Sequence, residues 1–426
     1  MKTSIYTDIK SLFEFRKFGI QRWKNILFIM LYSTFFQNKK NNQQKIASYI
    51  NDLGIVPTKL AQWCAYFCQI HFSDNALVSS FKYLQTNCNE NKNIELDAIL
   101  KPFEKELFSY EKAPFSVGSI AQIHRGKLKT GEEVVIKIKH EDIENDIQLW
   151  QSLFDSNLLF SIIKFFQKEN SVKLNFREFF DNIRSQLNFE EEVKNQKKFY
   201  DSYKNNPLIQ IPKYYTHNEK VIIMEYVPSM NFQEIQKEMD AEEKRYFLLL
   251  ARILYQDNIF IKNIIHMDLH NGNWGIDRFK RSIVLYDFGW VLHEQSDFKR
   301  FFVCAHLSRK QTLEYIVKRY NIKDNNKKLE EFVLTLSDRI DTIKAINLVL
   351  REFQDEFVMD NFMFCVLSFC VFMGSISEEF EEFESYVNEE LQLMKEKELF
   401  VALRCLIEKF KDPDIRQQID NYMLTC

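Results

Sequence analysis

Glycine and proline are scarce in this 426-residue chain, which holds nine of the first and seven of the second, and the scarcity narrows what it can be. No proline stands between Pro228 and Pro413, so that stretch lacks the ring that breaks helices. A Gly-x-Gly-x-x-Gly loop is absent, which removes the glycine-rich fingerprint of dinucleotide-binding folds and ordinary protein kinases. The eight cysteines form no Cys-x-x-Cys pair, a pattern that fits reduced thiols better than a disulfide frame or a zinc knuckle. The longest apolar runs, residues 26–36 and 362–376, have eleven and fifteen residues. A spanning helix needs about eighteen, so both read as buried or interfacial helices. A net charge of -3 gives no bulk attraction for nucleic acid, and there is no internal repeat or low-complexity linker.

What is present is a globular composition: 46% hydrophobic and 15% aromatic, with 40 Phe. The length allows two or three domains. The first 50 residues carry nine Lys or Arg against Asp8 and Glu14. Such an excess marks a transit peptide, which the few serines disfavour, or a helix on an anionic membrane surface, which Arg16, Lys17, Arg22 and Lys24 suit, with Trp23 and the apolar run that follows. An ordinary folded helix with a solvated basic face competes with that reading.

Apolar positions recur at helical spacing from residue 43 to about 108, with Gly54 and Pro57 as a helix stop and a new start. At Pro114 the character changes. Ser116-Val117-Gly118-Ser119 is a small-residue turn that leads into a strand over residues 120–128, a hairpin at Lys129-Thr130-Gly131-Glu132, and a second strand over residues 134–138. Helical periodicity returns after Glu141 through Phe166, and again over residues 176–200. Residues 221–226 read as a strand, and Glu225 to Ser229 as a hinge. Beyond Pro228 the chain reads as helical apart from short motif strands, and the acidic run over residues 378–390 reads as the solvated face of an amphipathic helix.

The chemistry concentrates in His266-Met267-Asp268-Leu269-His270-Asn271-Gly272-Asn273 and in Asp287-Phe288-Gly289. An aspartate, an asparagine five residues later, an apolar strand and a second aspartate before Phe-Gly form the set that phosphoryl transfer needs. One carboxylate handles the acceptor, and an Asn/Asp pair holds Mg2+ against the phosphates. The competing reading makes His266, Asp268 and His270 a metal trio on one face of a strand, but it leaves Asn273 and Asp287 idle. Lys137, ending Val-Val-Ile-Lys, suits phosphate anchoring if a carboxylate holds its ammonium. A surface lysine is the plainer reading. Three glutamates in a row, Glu190, Glu191 and Glu192, leave the partner open.

Taken together, Lys59-Leu60-Ala61-Gln62, the run from Ser116 to His124, the helix around Glu192, the run from His266 to Asn273 and Asp287-Phe288-Gly289 resemble the UbiB-type atypical kinases, also called aarF-domain kinases. The resemblance runs from about residue 50 to 290. It implies an α+β, two-lobed protein-kinase-like fold with a helical N-terminal extension over residues 1–110, an N-lobe over 111–228 and a C-lobe over 229–426. It makes Lys137 and Glu192 the phosphate-anchoring pair and Asp268 the catalytic-loop aspartate. Asn273 and Asp287 become metal ligands, Ser116, Val117, Gly118, Ser119 and Glu225 nucleotide contacts, and Lys59 and Gln62 part of a helix packed over the active site. A bland reading leaves Lys59 exposed and Gln62 incidental.

Three positions depart from the family. Ala61 replaces the glycine of Lys-x-Gly-Gln, Ser116-Val117-Gly118 stand in the alanine-rich loop, and Gln186 and Asn188 occupy the Glu-x-Asp acidic pair. ATP and Mg2+ are the implied cofactors, and a lipid or small molecule is the implied acceptor, in quinone or isoprenoid metabolism at an intracellular, peripheral-membrane site that is mitochondrial in a eukaryote. No feature argues for a homo-oligomer. Two rivals remain: a nucleotide-sensing or lipid-binding pseudokinase, which Gln186 and Asn188 favour, and a soluble choline- or aminoglycoside-type kinase, which the Lys59 to Gln62 helix disfavours.

Overall fold

The computed structural model describes residues 19–35, 40–71, 76–90, 94–155, 173–174, 176–270 and 272–293, and beyond these residues 297, 298, 301, 315, 318–320, 331, 358, 359, 362, 363, 365, 366 and 368. The chain forms two compact units, Met1–Lys198 with Pro212–Val227, and Phe199–Ile211 with Pro228–Cys426. Arg16, Lys17, residues 156–166 of the expected helix and the acidic run over 378–390 lie outside the described residues.

The first unit opens with helices α1 (Ile20–Phe35), α2 (Lys40–Leu53), α3 (Ile55–His71), α4 (Ala76–Tyr83) and the short α5 (Leu96–Leu100). Gly54 joins α2 to α3 at φ +113°, where a Cβ would fall 2.2 Å from the Asp146 carboxylate. Only glycine takes that backbone without strain. Asp146 Oδ2 accepts from the Ile55 backbone N–H at 3.0 Å and its Oδ1 from Arg22 at 3.0 Å. A carboxylate distant in sequence thereby serves as the N-terminal cap of α3. Pro57 sits in the first turn, where no backbone donor is needed.

Strands β1 (Leu107–Tyr110), β2 (Ser116–Val117), β3 (Ala121–Leu128) and β4 (Glu133–Lys139) follow, then helices α6 (Ile143–Asp155), α7 (Phe176–Gln186) and α8 (Phe189–Tyr203). After β5 (Ile209–Gln210), which belongs to the second unit, come β6 (Tyr214–His217) and β7 (Val221–Glu225). The sheet order is β1-β3-β4-β7-β6, antiparallel throughout, with β2 beside β3. Alternation along β4 sends Val134, Ile136 and Ile138 to one face, where they pack with Leu100, Phe103, Val221 and Ile223. The opposite face, with Ile222 and Met224, packs with Ile147, Phe179, Phe180, Ile183, Phe189 and Val193 of α6, α7 and α8.

Two expectations need correction. The helix expected over residues 176–200 is two helices, separated at Leu187 and Asn188, with Asn188 Oδ1 accepting from the Glu191 N–H at 3.2 Å as the cap of α8. The basic, aromatic patch expected near residue 22 is mostly spent inside the fold. Arg22 is paired with Asp146 and Trp23 packs against the core beneath the sheet, so the exposed residues of α1, among those described, are Ile20, Gln21, Lys24, Leu27, Phe28 and Leu31. No helix among the described residues is long and apolar enough to cross a membrane.

In the second unit, helices α9 (Phe232–Glu238) and α10 (Ala241–Asp257) lead through a π-helical turn, Asn258–Lys262, into β8 (Ile264–His266). Asp240 and Glu243 form a reciprocal capping box at the start of α10. The hairpin of β9 (Trp274–Asp277) and β10 (Ser282–Leu285) is extended by β5, parallel to β10, while β11 (Val291–His293) pairs with β8. At Gly275 a Cβ would meet Ser229 Oγ at 2.7 Å and the Met230 carbonyl at 3.0 Å, and this close approach lets Met230 bridge to Ile276.

Under the π turn, the buried Tyr203 hydroxyl donates to Asp257 and lies 2.5 Å from the Asn258 side-chain amide. A phenol has one proton, so donating to Asp257 leaves its oxygen to accept from the Asn258 nitrogen. Burial holds the Asp257 carboxyl above its ordinary range, against the opposing pull of Tyr203 and Lys262. A carboxyl with a raised folded pKa contributes stability that is complete below its unfolded pKa, about 4, and is lost as pH rises through the folded value. Asp257→Asn keeps the acceptor and removes the titration. Its stability relative to wild type should therefore rise between about pH 4.5 and pH 8, as read from urea midpoints. An equal difference at both pH values would rule out ionisation of Asp257 as the cause.

Candidate functional site

In the first unit, the alternation that buries Val134, Ile136 and Ile138 turns Lys137 to the opposite face of the sheet, in register with Ile123 and Ile222. Its ammonium lies 2.5 Å from Glu192 Oε1, with side-chain exposures of 7% and 1%. The structure also separates the three glutamates. Glu190 is exposed and bonded to His217, Glu191 is exposed and paired with Lys194, and only Glu192 turns inward. The Phe189 ring lies 5.6 Å from the Lys137 ammonium and 5.2 Å from that of Lys139. A buried pair of this kind gains little net stability, because desolvating two charges costs as much as their attraction returns. Its presence on the apolar face of a sheet is better explained by chemistry than by stability.

The loop before β3 is bound from several sides. Ser116 and Val117 pair with Ile123 and Gln122, and the Gly118 N–H donates to the Ala121 carbonyl at 2.8 Å. Ser119 Oγ donates to Gln62 Oε1 at 3.4 Å, while Gln62 Nε2 donates to the Leu84 carbonyl at 2.7 Å. Lys59 and Gln62 are both only 5% exposed, which overturns the reading of Lys59 as a surface residue. Beside them, burial pushes the Cys88 thiol up to about 12 against the opposing charge of Lys59. Ala61 is buried among Ile46, Ala47, Ile50 and Leu84. At the end of β7, the Glu225 carboxylate accepts from the Lys213 backbone N–H at 3.0 Å. Next to it the Tyr226 and Phe115 rings, perpendicular to each other, both contact Arg125, their centroids 4.4 and 4.3 Å from the guanidinium carbon.

Gln186 and Asn188 are placed by local contacts. Gln186 is buried and its Nε2 donates to the Asn182 carbonyl at 3.2 Å, within α7. Asn188 is exposed at the cap of α8.

The second unit holds the other set. Strand β8 ends at His266, so Asp268 and His270 lie in the following turn. The three cannot share one strand face, and among the described residues no group of three His, Cys, Asp or Glu side chains could hold a metal. This removes the metal-trio reading. His266 Nε2 donates to the Tyr286 carbonyl at 3.1 Å and Nδ1 accepts from the Asp268 N–H at 3.3 Å. The ring is thereby a neutral tautomer, and burial holds its pKa below the ordinary histidine range. It meets Phe288 and Phe199 edge-to-face, with centroids 5.7 and 6.2 Å away. The Gly272 N–H donates to His270 Nδ1, which leaves the proton on Nε2, 3.9 Å from Asp268 Oδ1.

Asn273 Nδ2 donates to the Asp268 carbonyl at 2.8 Å. That bond spans the turn after β8 and leaves Asn273 Oδ1 as a hard oxygen donor. Asp287 has φ +55°, a left-handed backbone that is costly for a residue with a Cβ, and its Oδ1 accepts from the Gly289 N–H at 3.1 Å. Strain of this sort persists where surrounding structure enforces it, often at ligand sites. An amide oxygen and a carboxylate suit Mg2+, which keeps waters and phosphate oxygens for its remaining positions.

Sequence reading missed His140, whose ring bonds to Gly118, Asp146 at the start of α3, and Phe199 beneath His266. Each acts through a contact distant in the chain, and none lies in a motif.

Lys137→Met should leave Glu192 buried without its cation and cost about 3–5 kcal/mol of unfolding free energy, while the pair Lys137→Met with Glu192→Leu should recover most of it. Denaturant unfolding of the three proteins measures this. A single mutant as stable as wild type would mean the pair is solvated.

The sequence profile of the ABC1 atypical kinase-like domain matches residues 82–311. This segment includes every residue of both sets except Lys59 and Gln62. Among curated proteins, the chain is similar to the ABC1 family protein MCP2 of Saccharomyces cerevisiae, 26% identical over 53% of this chain and 43% of that protein. It is also similar to the protein Activity of BC1 complex kinase 7, chloroplastic, of Arabidopsis thaliana, 29% identical over 46% of this chain and 28% of that one. A third relative is an AarF domain-containing kinase 1 of Drosophila melanogaster, 27% identical over 50% and 43%. The chain spans less than half the length of each of these relatives. The profile covers more than half of the chain, and the chain belongs to the ABC1 atypical kinase-like family, with an α+β kinase-like fold.

Proposed function

We propose that this chain is an ATP- and Mg2+-dependent phosphotransferase or ATPase that acts on or near a lipid or small molecule, in support of quinone or other isoprenoid lipid metabolism. The observation that carries the reading is the buried Lys137–Glu192 pair, an arrangement poor for stability and suited to phosphate. Lys137 would hold the α- and β-phosphates and Glu192 would keep its ammonium in place. The loop from Ser116 to Ser119 would cover the phosphates, and the β7 end at Glu225 would receive the base. Asp268 would orient the acceptor hydroxyl, and Asn273 and Asp287 would supply oxygen donors to Mg2+. When bound, Mg2+ supplies charge neutralisation on the transferring phosphoryl group. Gln186 and Asn188, neutral at the family's acidic pair, favour a second reading, in which nucleotide binds without turnover.

Nucleotide binding is tested by melting. At a hundredfold excess over its dissociation constant, ATP with Mg2+ should add about 2.7 kcal/mol. Asp287→Asn should remove the Mg2+-dependent part of that shift, and an unchanged shift would remove Asp287 from the metal site. Turnover of ATP with and without anionic lipid vesicles separates the two readings, since hydrolysis under neither condition would leave only the non-catalytic one.

The lipid part of the proposal is supported by the exposed Ile20, Leu27, Phe28 and Leu31 on α1, with Lys24 alongside. Such a face suits reversible docking on an anionic surface. The double change Leu27→Ser with Leu31→Ser should weaken co-sedimentation with anionic vesicles by at least about tenfold, or 1.4 kcal/mol. Binding that survives the change would take the membrane contact away from α1.

A further inference from the structure

The loop that precedes β3 holds a carbonyl whose direction is set by a side chain from beyond β4. His140 follows that strand, its backbone N–H donates to the Ile120 carbonyl at 2.9 Å, and its ring Nε2 lies 3.0 Å from the Gly118 carbonyl. A carbonyl only accepts, so Nε2 carries the proton and Nδ1 carries the lone pair. Nδ1 is buried with no hydrogen-bond partner among the described residues. A second proton would therefore go onto a nitrogen without an acceptor, and burial accordingly holds this histidine below its ordinary pKa, against the favourable pull of the Gly118 carbonyl. The ring is a neutral donor with one proton, and that proton is committed to Gly118.

A peptide unit is planar and trans, so the Gly118 carbonyl and the Ser119 N–H lie in one plane and point in opposite directions. Fixing the carbonyl fixes the N–H. The Gly118 N–H is already spent on the Ala121 carbonyl, and the Ser119 hydroxyl on Gln62. The remaining freedom of this turn is rotation of the Gly118–Ser119 peptide plane, and His140 removes it. Backbone N–H groups aimed by tight turns are anion donors.

We propose that His140 is a positioning residue for phosphate recognition, holding the Gly118–Ser119 peptide so that the Ser119 N–H faces a bound nucleotide phosphate. The proposal rests on the nucleotide reading above. It differs from a packing role for the ring because it concerns one hydrogen bond and one class of ligand group.

The test compares reach at constant chemistry. The amide nitrogen of a glutamine falls near the place of Nε2, while that of an asparagine falls near Nδ1 and stops short of the Gly118 carbonyl. In the full chain with Mg2+, H140N should bind ATP and ADP about tenfold more weakly, the weight of one hydrogen bond. Its affinity for adenosine should be unchanged, and H140Q should stay within about threefold of wild type for all three ligands. H140L, which has no donor at all, is a second variant with the same expected outcome, should H140N not fold. Wild-type ATP affinity in H140N and H140L, or parallel loss of ATP and adenosine, would overturn the proposal. A wild-type chain that binds no nucleotide overturns the nucleotide reading and this inference with it.

Discussion

A lysine on the inward face of a sheet is the constraint from which the rest of the first unit follows. Strand alternation gives Lys137 no solvated alternative, because the flip that moved it would place it among Leu100, Phe103, Val221 and Ile223 on the other buried face. Its ammonium is buried beside the Phe189 ring, where an isolated charge is prohibitive. Glu192 must meet it, which sets the rotation of α8 about its own axis. That rotation leaves Glu190 and Glu191 on the solvent side. The same helix contributes Phe199 and Tyr203 to the second unit, where the Phe199 ring meets His266 edge-on and Phe288 at a tilt.

The helical extension is joined to the sheet by polar contacts rather than by a large apolar seam alone. Asp146 of α6 caps α3 and pairs with Arg22 of α1. Burial raises the pKa of Asp146, and Arg22 and the α3 amides oppose that shift, so three elements share one carboxylate. Four residues further along α3, Lys59 is buried, and Gln62 reaches Ser119. The capped start of α3 and the Gln62 contact together hold this helix in register with the loop before β3. Ala61, on the side that packs with Ile50 and Leu84, places its methyl in the helical core.

Much of this was legible in the chain itself. The hairpin around Gly131, the strand that delivers Lys137, the restart at Gly54 and the turn from Asp268 to Asn273 all carry local signals, namely alternation, turn residues and fixed spacing. The resemblance chose Glu192, and burial gives the same answer independently. What was not legible depends on contacts between positions far apart. Nothing around Asp146 announces a cap for a helix ninety residues earlier, and His140 has no pattern of its own. Arg22 and Trp23 show the converse limit: a basic, aromatic sequence looks the same whether it faces lipid or is half-buried with its guanidinium on Asp146.

The break between α7 and α8 bears on how an acidic pair can be lost without damage to the fold. Asn188 caps α8 through its side-chain oxygen, and asparagine and aspartate cap about equally well. Replacing an acid there removes a charge while leaving the start of the helix that carries Glu192 intact. Gln186 is 3% exposed and bonded within α7, a place where a carboxylate would have to be paired or protonated. An amide at that position avoids the desolvation cost. Both neutral residues are thus locally well accommodated, and neither asks the fold to bury a charge, while Glu192 on the helix that Asn188 caps stays paired with Lys137.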